Sequence, residues 1–297
     1  MSVLCLGEAL VDLICHRPAR GLADADAFVP HFGGATANVA VAAARQGAEV
    51  ALAGGARDDA WGRWLRDGLE RAGVDTRWFA LRPGGETTVA FTTIDDRGDA
   101  TYAFYGDSLG AAVAAAAPRL DAAVEASEAL FFGGNTLVHE DERAATLRAR
   151  DRAVKLGKPF CFDPNLRLDR WESRKEALEL SRACVEGAFV VKANRAEATL
   201  LTGETQARRA GAALAEMGPK LAVVTLGSDG ALVAGEQSFT VPGRKATVVS
   251  TVGAGDAFMG VLLAYLQRAG WDPDLEHAVD VAVEVAARVT EAWGAGG

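Results

Sequence analysis

The chain has 297 residues, 49% apolar and 24% charged, with a formal net charge of −9 at pH 7. That length allows one large α/β domain, or one domain with a small appendage. The acidic balance excludes an extended nucleic-acid footprint, which needs a basic face, and no apolar run reaches the ~18 residues of a membrane span.

The N-terminus carries Glu8 and Asp12 and no basic segment, so it does not read as a signal peptide. The cysteines Cys5, Cys15, Cys161 and Cys184 are scattered without a C-x-x-C, which fits a reduced, cytoplasmic setting. The histidines His16, His31, His139 and His277 are isolated and offer no zinc spacing.

In chain order, "VLCLG" (3–7) reads as a buried strand, "TANVAVAAARQG" (36–47) as a buried helix, "EVALAGG" as a second strand and 59–73 as an amphipathic helix stopped by Gly73. The stretch 86–106 is rich in Thr, Val, Phe and Tyr and breaks at "DDRGD", a hairpin signal. With "ALVDLIC" and "AFVPHF" it predicts a small sheet outside the main body, discontinuous in sequence. From about residue 118 strands alternate with helices: "ALFFGG", helix 141–157, "PFCFD", helix 171–186, "AFVVK", helical 195–217 and "LAVVTLG". Short strands "GALVAG", "QSFTV" and "ATVV" follow, and helices 254–269 and 274–292 close the chain. This alternation predicts an α/β fold with a doubly wound, mostly parallel sheet flanked by helices.

The stretch carrying most chemistry is "STVGAGDAFMG" (250–260). Gly253, Ala254 and Gly255 have almost no side chain and stand where a helix begins, so their N–H groups form an anion site reinforced by the helix dipole. An Asp in such a site would repel a phosphate unless it takes the proton of a hydroxyl that attacks that phosphate. Asp256 is therefore the candidate base, against the plainer reading of an acidic residue favouring a helix start. Competing motifs fail: there is no G-x-x-x-x-G-K-[ST], and no G-x-G-x-x-G here, because Phe258 occupies the third glycine position. "TLGSDG" lacks the spacing of a nucleophile elbow.

"STVGAGDAFMG" resembles the C-terminal signature of the ribokinase-like (PfkB) carbohydrate kinases, and "FGGATANVAVAAARQGA" (32–48) resembles their N-terminal one. "GEALVD" (7–12), "DPNLR" (163–167), "NRAE" (194–197) and "TLGSDG" (225–230) follow in the family's order, so the resemblance covers essentially the whole chain. It implies a single ribokinase-like α/β domain over 1–297 with a discontinuous β lid from about 10–32 and 86–107. It also implies an ATP-dependent sugar kinase using magnesium.

Carried over, Asp256 is the base and Gly253, Ala254 and Gly255 the anion hole. Asp12, Gly33, Gly34 and Asn38 bind the sugar. Asn165 and Arg167 lie near the transferring phosphate, where a guanidinium suits developing charge. Asn194 and Glu197 are the magnesium- and phosphate-associated N-x-x-E element, and equally a helix-capping pair. Thr225, Gly227 and Gly230, with Asn194, belong to the nucleotide site. Asp163 precedes Pro164 and reads as a turn former.

Two departures from the family pattern stand out. Ser250 replaces the Asp tied to a monovalent-cation site, which leaves potassium activation open, and the last helix lacks the Asn expected near Val283 beside the adenine.

"GEALVDL", "GGATANVA" and "DPNLRLDRW" resemble most the fructokinase branch, with 2-keto-3-deoxygluconate kinase as runner-up and ribose or nucleosides behind. Gly106 and Asp107 stand after the lid's Tyr105, where related enzymes often have an Arg. This points to a neutral sugar, because an acidic one needs a cation there. The expected partners are a sugar and ATP, with a second copy through the lid, and neither nucleic acid nor membrane. A catalytically silent sugar or nucleotide sensor on the same fold is the alternative of another class. A nucleotide-cofactor oxidoreductase lacks its glycine fingerprint after the first strand.

Overall fold

The computed structural model describes residues 2–98, 100–107 and 109–295. The first half holds β1 (Val3–Leu6), β2 (Leu10–Pro18), β3 (Val29–Gly33), α1 (Ala35–Arg45), β4 (Val50–Arg57), α2 (Ala60–Arg71), β5 (Phe79–Arg82), β6 (Val89–Ile94) and β7 (Ala100–Tyr105). Then come α3 (Ala111–Ala116), α4 (Leu120–Ala126), β8 (Ala129–Gly133), α5 (Glu140–Lys155), β9 (Phe160–Asp163), α6 (Arg174–Val185) and β10 (Val190–Asn194). The chain ends with α7 (Arg195–Thr202), α8 (Ala207–Glu216), β11 (Leu221–Thr225), β12 (Gly230–Gly235), β13 (Phe239–Pro242), α9 (Ala254–Arg268) and α10 (Leu275–Val289).

The apolar runs become the middle of a nine-stranded sheet of order β13-β12-β11-β10-β9-β8-β1-β4-β5. Neighbours are parallel except at one edge, where β12 and β13 form an antiparallel hairpin on β11. Helices cover both faces, which is why β1, β8 and β9 are buried at every position. Within β1 the side chains alternate by face. Val3 and Cys5 join the core under α1, α2, α9 and α10, whereas Leu4 and Leu6 join the core under α3 to α8.

A second sheet, of order β3-β2-β6-β7, stands apart from the first. β2 pairs antiparallel with β3 and parallel with β6, and β6 pairs antiparallel with β7. These strands come from the two segments that the sequence sets outside the main body. The turn between β6 and β7 falls in "DDRGD", of which Asp99 lies outside the described residues. Ile14 and Ile94 bury against Val252, just before α9, so the small sheet leans on the start of that helix.

Three expectations change. Residues 195–217 are two helices, because Gly203 takes φ +83°, the left-handed conformation that ends α7 while its N–H bonds to the Thr199 carbonyl. "ATVV" (246–249) is not a strand. The amides of Val249 and Ser250 both bond to the Thr290 carbonyl after α10, which leaves them none for a sheet. Helix α6 starts at Arg174 and not at residue 171, because Ser173 caps it by accepting the Glu176 N–H. Strand β5 and helices α3 and α4 were not read from sequence at all. They are short and alanine-rich or irregular, with no long period to mark them.

Helices α1 and α9 cross at Gly260, where a Cβ would stand 2.5 Å from the Val39 carbonyl oxygen and 2.6 Å from the Ala42 Cβ. Gly260→Ala is therefore expected to destabilise the fold by about 1–3 kcal/mol through overpacking, read as a lower urea midpoint with an unchanged m-value.

Candidate active site

Helix α9 opens on Gly253 at φ +79°, with Ala295 so close that a Cβ there would lie 2.2 Å from the Ala295 Cβ. No side chain caps this helix, and among the described residues the amides of Gly255 and Asp256 have no hydrogen-bond partner. These are open donors at the positive end of a 15-residue helix.

Asp256 sits in the first turn of that helix. Its Oδ2 accepts a hydrogen bond of 2.9 Å from Asn38 Nδ2, one turn inside α1. Burial pushes the Asp256 carboxyl up to about 6, against the pull of Asn38, Lys192 and Arg167 and with a push from Asp163. Asp12 on β2 is 5% exposed and goes up to about 7, through burial first and the Asp256 charge second. Gly33 and Gly34 form the turn from β3 into α1. Gly33 lies against Asp12, where a Cβ would come within 2.3 Å of Oδ2.

On the opposite wall, the end of β9 and the middle of β10 bring Asp163 and Lys192 together. Lys192 Nζ lies 2.6 Å from Asp163 Oδ2, and both residues are buried. Burial opposes the Lys192 charge, but Asp163, Glu197 and Asp256 outweigh it and hold its pKa above the ordinary lysine value. A Cβ on Gly255 would stand 3.0 Å from Nζ, so this ammonium lies beside the open start of α9.

Asp163 Oδ1 also accepts the Asn165 N–H, holding Asn165 at φ +37°. Asn194 and Glu197 form a capping box at the start of α7: Asn194 Oδ1 accepts the Glu197 N–H and Glu197 Oε2 accepts the Asn194 N–H. Glu197 Oε1 accepts the Leu166 N–H, which ties the DPNLR loop to α7. Burial first, then Asp163, raises the Glu197 carboxyl. The Arg167 guanidinium makes no hydrogen bond or ion pair among the described residues. Thr225, Gly227 and Gly230 form the turn from β11 to β12, closed by the Leu226 N–H on the Gly230 carbonyl at 2.8 Å.

One cleft of about 1500 Å³ runs between these walls. Asp12, Gly34, Asn38, Asn165, Arg167, Asn194, Glu197, Thr225, Gly227, Gly230 and residues 253–256 all line it, and Gly33 stands just behind it. Toward the nucleotide-loop end, Val283 and Ala287 of α10 present an apolar wall where the sequence lacks the expected Asn. Ser250 is fully buried, and its hydroxyl accepts the Val252 N–H at 3.2 Å within the loop before α9. Among the described residues, no group of three or more His, Cys, Asp or Glu side chains is placed to hold a metal.

Sequence reading missed several cleft residues: Lys192, paired behind the wall with Asp163, Tyr102 of the small sheet, Glu8, Asn135 and Arg170. Lys192 left a signal, since a lysine ending the apolar run "AFVVK" needs a reason to be buried. Asp107 does not face a bound sugar as the sequence suggests. Asp107 is ion-paired with Arg57 and does not line the cleft, so it says nothing about a sugar's charge.

A doubly wound sheet with a carboxylate on an open helix N-terminus, a buried ammonium beside it and a long two-ended cleft defines a phosphotransferase acting on a small hydroxyl compound. The family model for pfkB family carbohydrate kinases matches residues 1–297, and the chain belongs to that family. It is an ATP-dependent carbohydrate kinase of the ribokinase fold. Fructokinase-1 of Zea mays is 36% identical over 274 residues, covering 91% of this chain and 84% of that protein. A fructokinase double mutant from Vibrio cholerae O395, in a fructose-, ADP- and potassium-ion-bound form, superposes with a TM-score of 0.85 at 30% identity, covering 99% and 94% of the two chains. Aminoimidazole riboside kinase from Salmonella enterica, complexed with aminoimidazole riboside and an ATP analog, gives 0.84 at 30% identity, covering 99% and 95%.

Lys192→Met leaves Asp163 buried without its cation. It is expected to cost about 3–5 kcal/mol of stability at pH 7, measured by urea unfolding. Lys192→Met combined with Asp163→Asn should recover part of that loss.

Proposed function

We propose that this kinase phosphorylates a primary hydroxyl of fructose, with Asp256 as the base. The observation that carries the reading is Asp256 itself, held by Asn38 in the first turn of a helix whose amides stay open to an anion. The Asp256 carboxylate takes the hydroxyl proton. The hydroxyl oxygen forms a bond to the γ-phosphorus as the bond from phosphorus to the β–γ bridging oxygen breaks, and ADP leaves. The amides of Gly255 and Asp256 with the Lys192 ammonium, and Arg167 from the cleft mouth, answer the charge developing on the transferring group. Asp12, with Gly34 and Asn38, holds the sugar hydroxyls, and the 225–230 turn with the apolar wall of α10 holds the nucleotide.

Magnesium fits the donor set as an ion that keeps its water shell. Glu197 and Asn194 already accept backbone amides and retain lone pairs for metal-bound waters. When bound to the nucleotide phosphates it supplies further charge neutralisation.

The sugar end carries the carboxylates of Glu8, Asp12 and Asp256, which favours a neutral polyol over an acid sugar. The fructokinase names of the relatives point the same way. A nucleoside is the second reading, supported by the similarity to aminoimidazole riboside kinase. Tyr105 (57% exposed) and Val29 (39%) on the small sheet support a lid that pairs with a second copy. Four buried, unpaired cysteines fit the cytoplasmic setting.

ADP release with Mg-ATP over fructose, 2-keto-3-deoxygluconate, ribose and adenosine tests the substrate, and turnover restricted to fructose is the expected result. Asp256→Asn should lower kcat by roughly 10²–10⁴ while the fold and sugar binding persist. Near-normal turnover would remove Asp256 from the base role, and sugar binding without turnover by the wild type would mark a silent sensor. A base must be ionised, so kcat/KM should fall as pH drops through about 6, where Asp256 takes up its proton.

A further inference from the structure

At the end of the cleft away from the nucleotide turn lies a polar cluster with no part in the chemistry described above. Arg170, half-buried, donates from Nη1 to Asn135 Oδ1 at 2.8 Å. Asn135 donates from Nδ2 to Glu8 Oε1 at 3.0 Å. Glu8 is 3% exposed, and it accepts the Ala35 N–H at 3.1 Å and the Thr36 hydroxyl at 3.3 Å. All three side chains line the cleft. Glu142, at the start of α5, stands behind them, so close to Gly110 that a Cβ there would overlap its carboxyl.

The first turns of α1 fix the distance from this cluster to the base. Glu8 holds the helix at residues 35 and 36, and Asn38 holds Asp256. Three residues of helix advance about 4.5 Å along the axis. The cluster and the base are thus tethered within about one turn of the same helix, and both face the one cleft.

Donors remain at this end. One Asn135 N–H and four of the five Arg170 N–H groups have no partner among the described residues. Glu8, reached through Asn135, and Asp169 oppose the charge of Arg170 without a direct ion pair among the described residues. Burial pushes the Glu142 carboxyl up to about 8, so it stays neutral at pH 7 and adds no second negative charge. The cluster thus presents hydrogen-bond donors with little net charge, which matches a hydroxyl oxygen.

We propose that Arg170, acting with the Asn135 it orients, is a specificity-determining residue that reads the hydroxyl at the end of the sugar opposite the one phosphorylated. The inference rests on the reading of this cleft as a sugar site. Arg170 binds substrate and transition state alike, so its loss falls on KM for the sugar more than on kcat.

The experiment compares fructose with its deoxy analogue lacking the hydroxyl farthest from the phosphorylated carbon, in the wild type, Arg170→Leu and Arg170→Lys. The wild type should prefer fructose by roughly 10–100-fold in kcat/KM, the range of a charge-assisted hydrogen bond. Arg170→Leu should bring that ratio within about 3-fold of unity, and Arg170→Lys should restore part of it. Because each ratio is taken on one preparation, partial misfolding cancels. An equal preference in wild type and Arg170→Leu overturns the proposal, as does a loss confined to KM for ATP. If the wild type instead turns over only another sugar, the fructose reading fails, and the same ratio on that sugar and its remote-end deoxy analogue decides the role of Arg170.

Discussion

A carboxylate is kept at the positive end of a helix without closing off the open amides beside it. The Asn38–Asp256 hydrogen bond is the contact that does this, and much of the architecture serves it. It requires α1 and α9 to lie side by side, which requires Gly260 at their crossing. It leaves the amides of Gly255 and Asp256 unpaired, while that of Ala254 bonds to the Thr251 carbonyl, which requires a loop without a capping side chain, and Gly253 provides the left-handed turn into the helix. The small sheet rests on Val252, next to that loop, so the cover of the cleft and the start of the helix share one contact.

The ion pair on the facing wall follows from the same constraint. A cleft with Asp12, Asp256 and Glu197, backed by Asp163, needs a cation that does not leave, and Lys192 is held among them from the middle of a central strand. Buried charges are tolerated when each is paired and hydrogen-bonded. Asp163 is bonded to Lys192 and to the Asn165 amide, and Glu197 to the amides of Leu166 and Asn194. Two carboxyls with raised pKa, Asp12 and Asp256, face a third, Asp163, stabilised by an ammonium.

Legibility in the sequence differed by element. Strands running through the middle of the sheet were readable because they are apolar on both faces, and "ALFFGG" or "LAVVTLG" have few other interpretations. Short alanine-rich α3 and α4 were not, since neither is long enough to show a period. The break at Gly203 was missed because a lone glycine inside a helical pattern is tolerated as often as it terminates. "ATVV" has strand composition and still makes no strand, since its backbone bonds to Thr290. Asp107 was misplaced because its partner Arg57 is 50 residues away in sequence.

By itself the sequence determined which segments lie in the sheet, where the glycine-rich turn opens a helix, and which acid stands in its first turn, because these depend on neighbours a few residues apart. Tertiary structure alone decided what faces what. It set Lys192 against Asp163, brought Asn135 and Arg170 together in the cleft, and turned Asp107 away from it. Helix starts and buried runs are local features written in composition and spacing. The charge partners of a cleft come from strands and loops far apart in the chain, and only the register of the folded sheet brings them together.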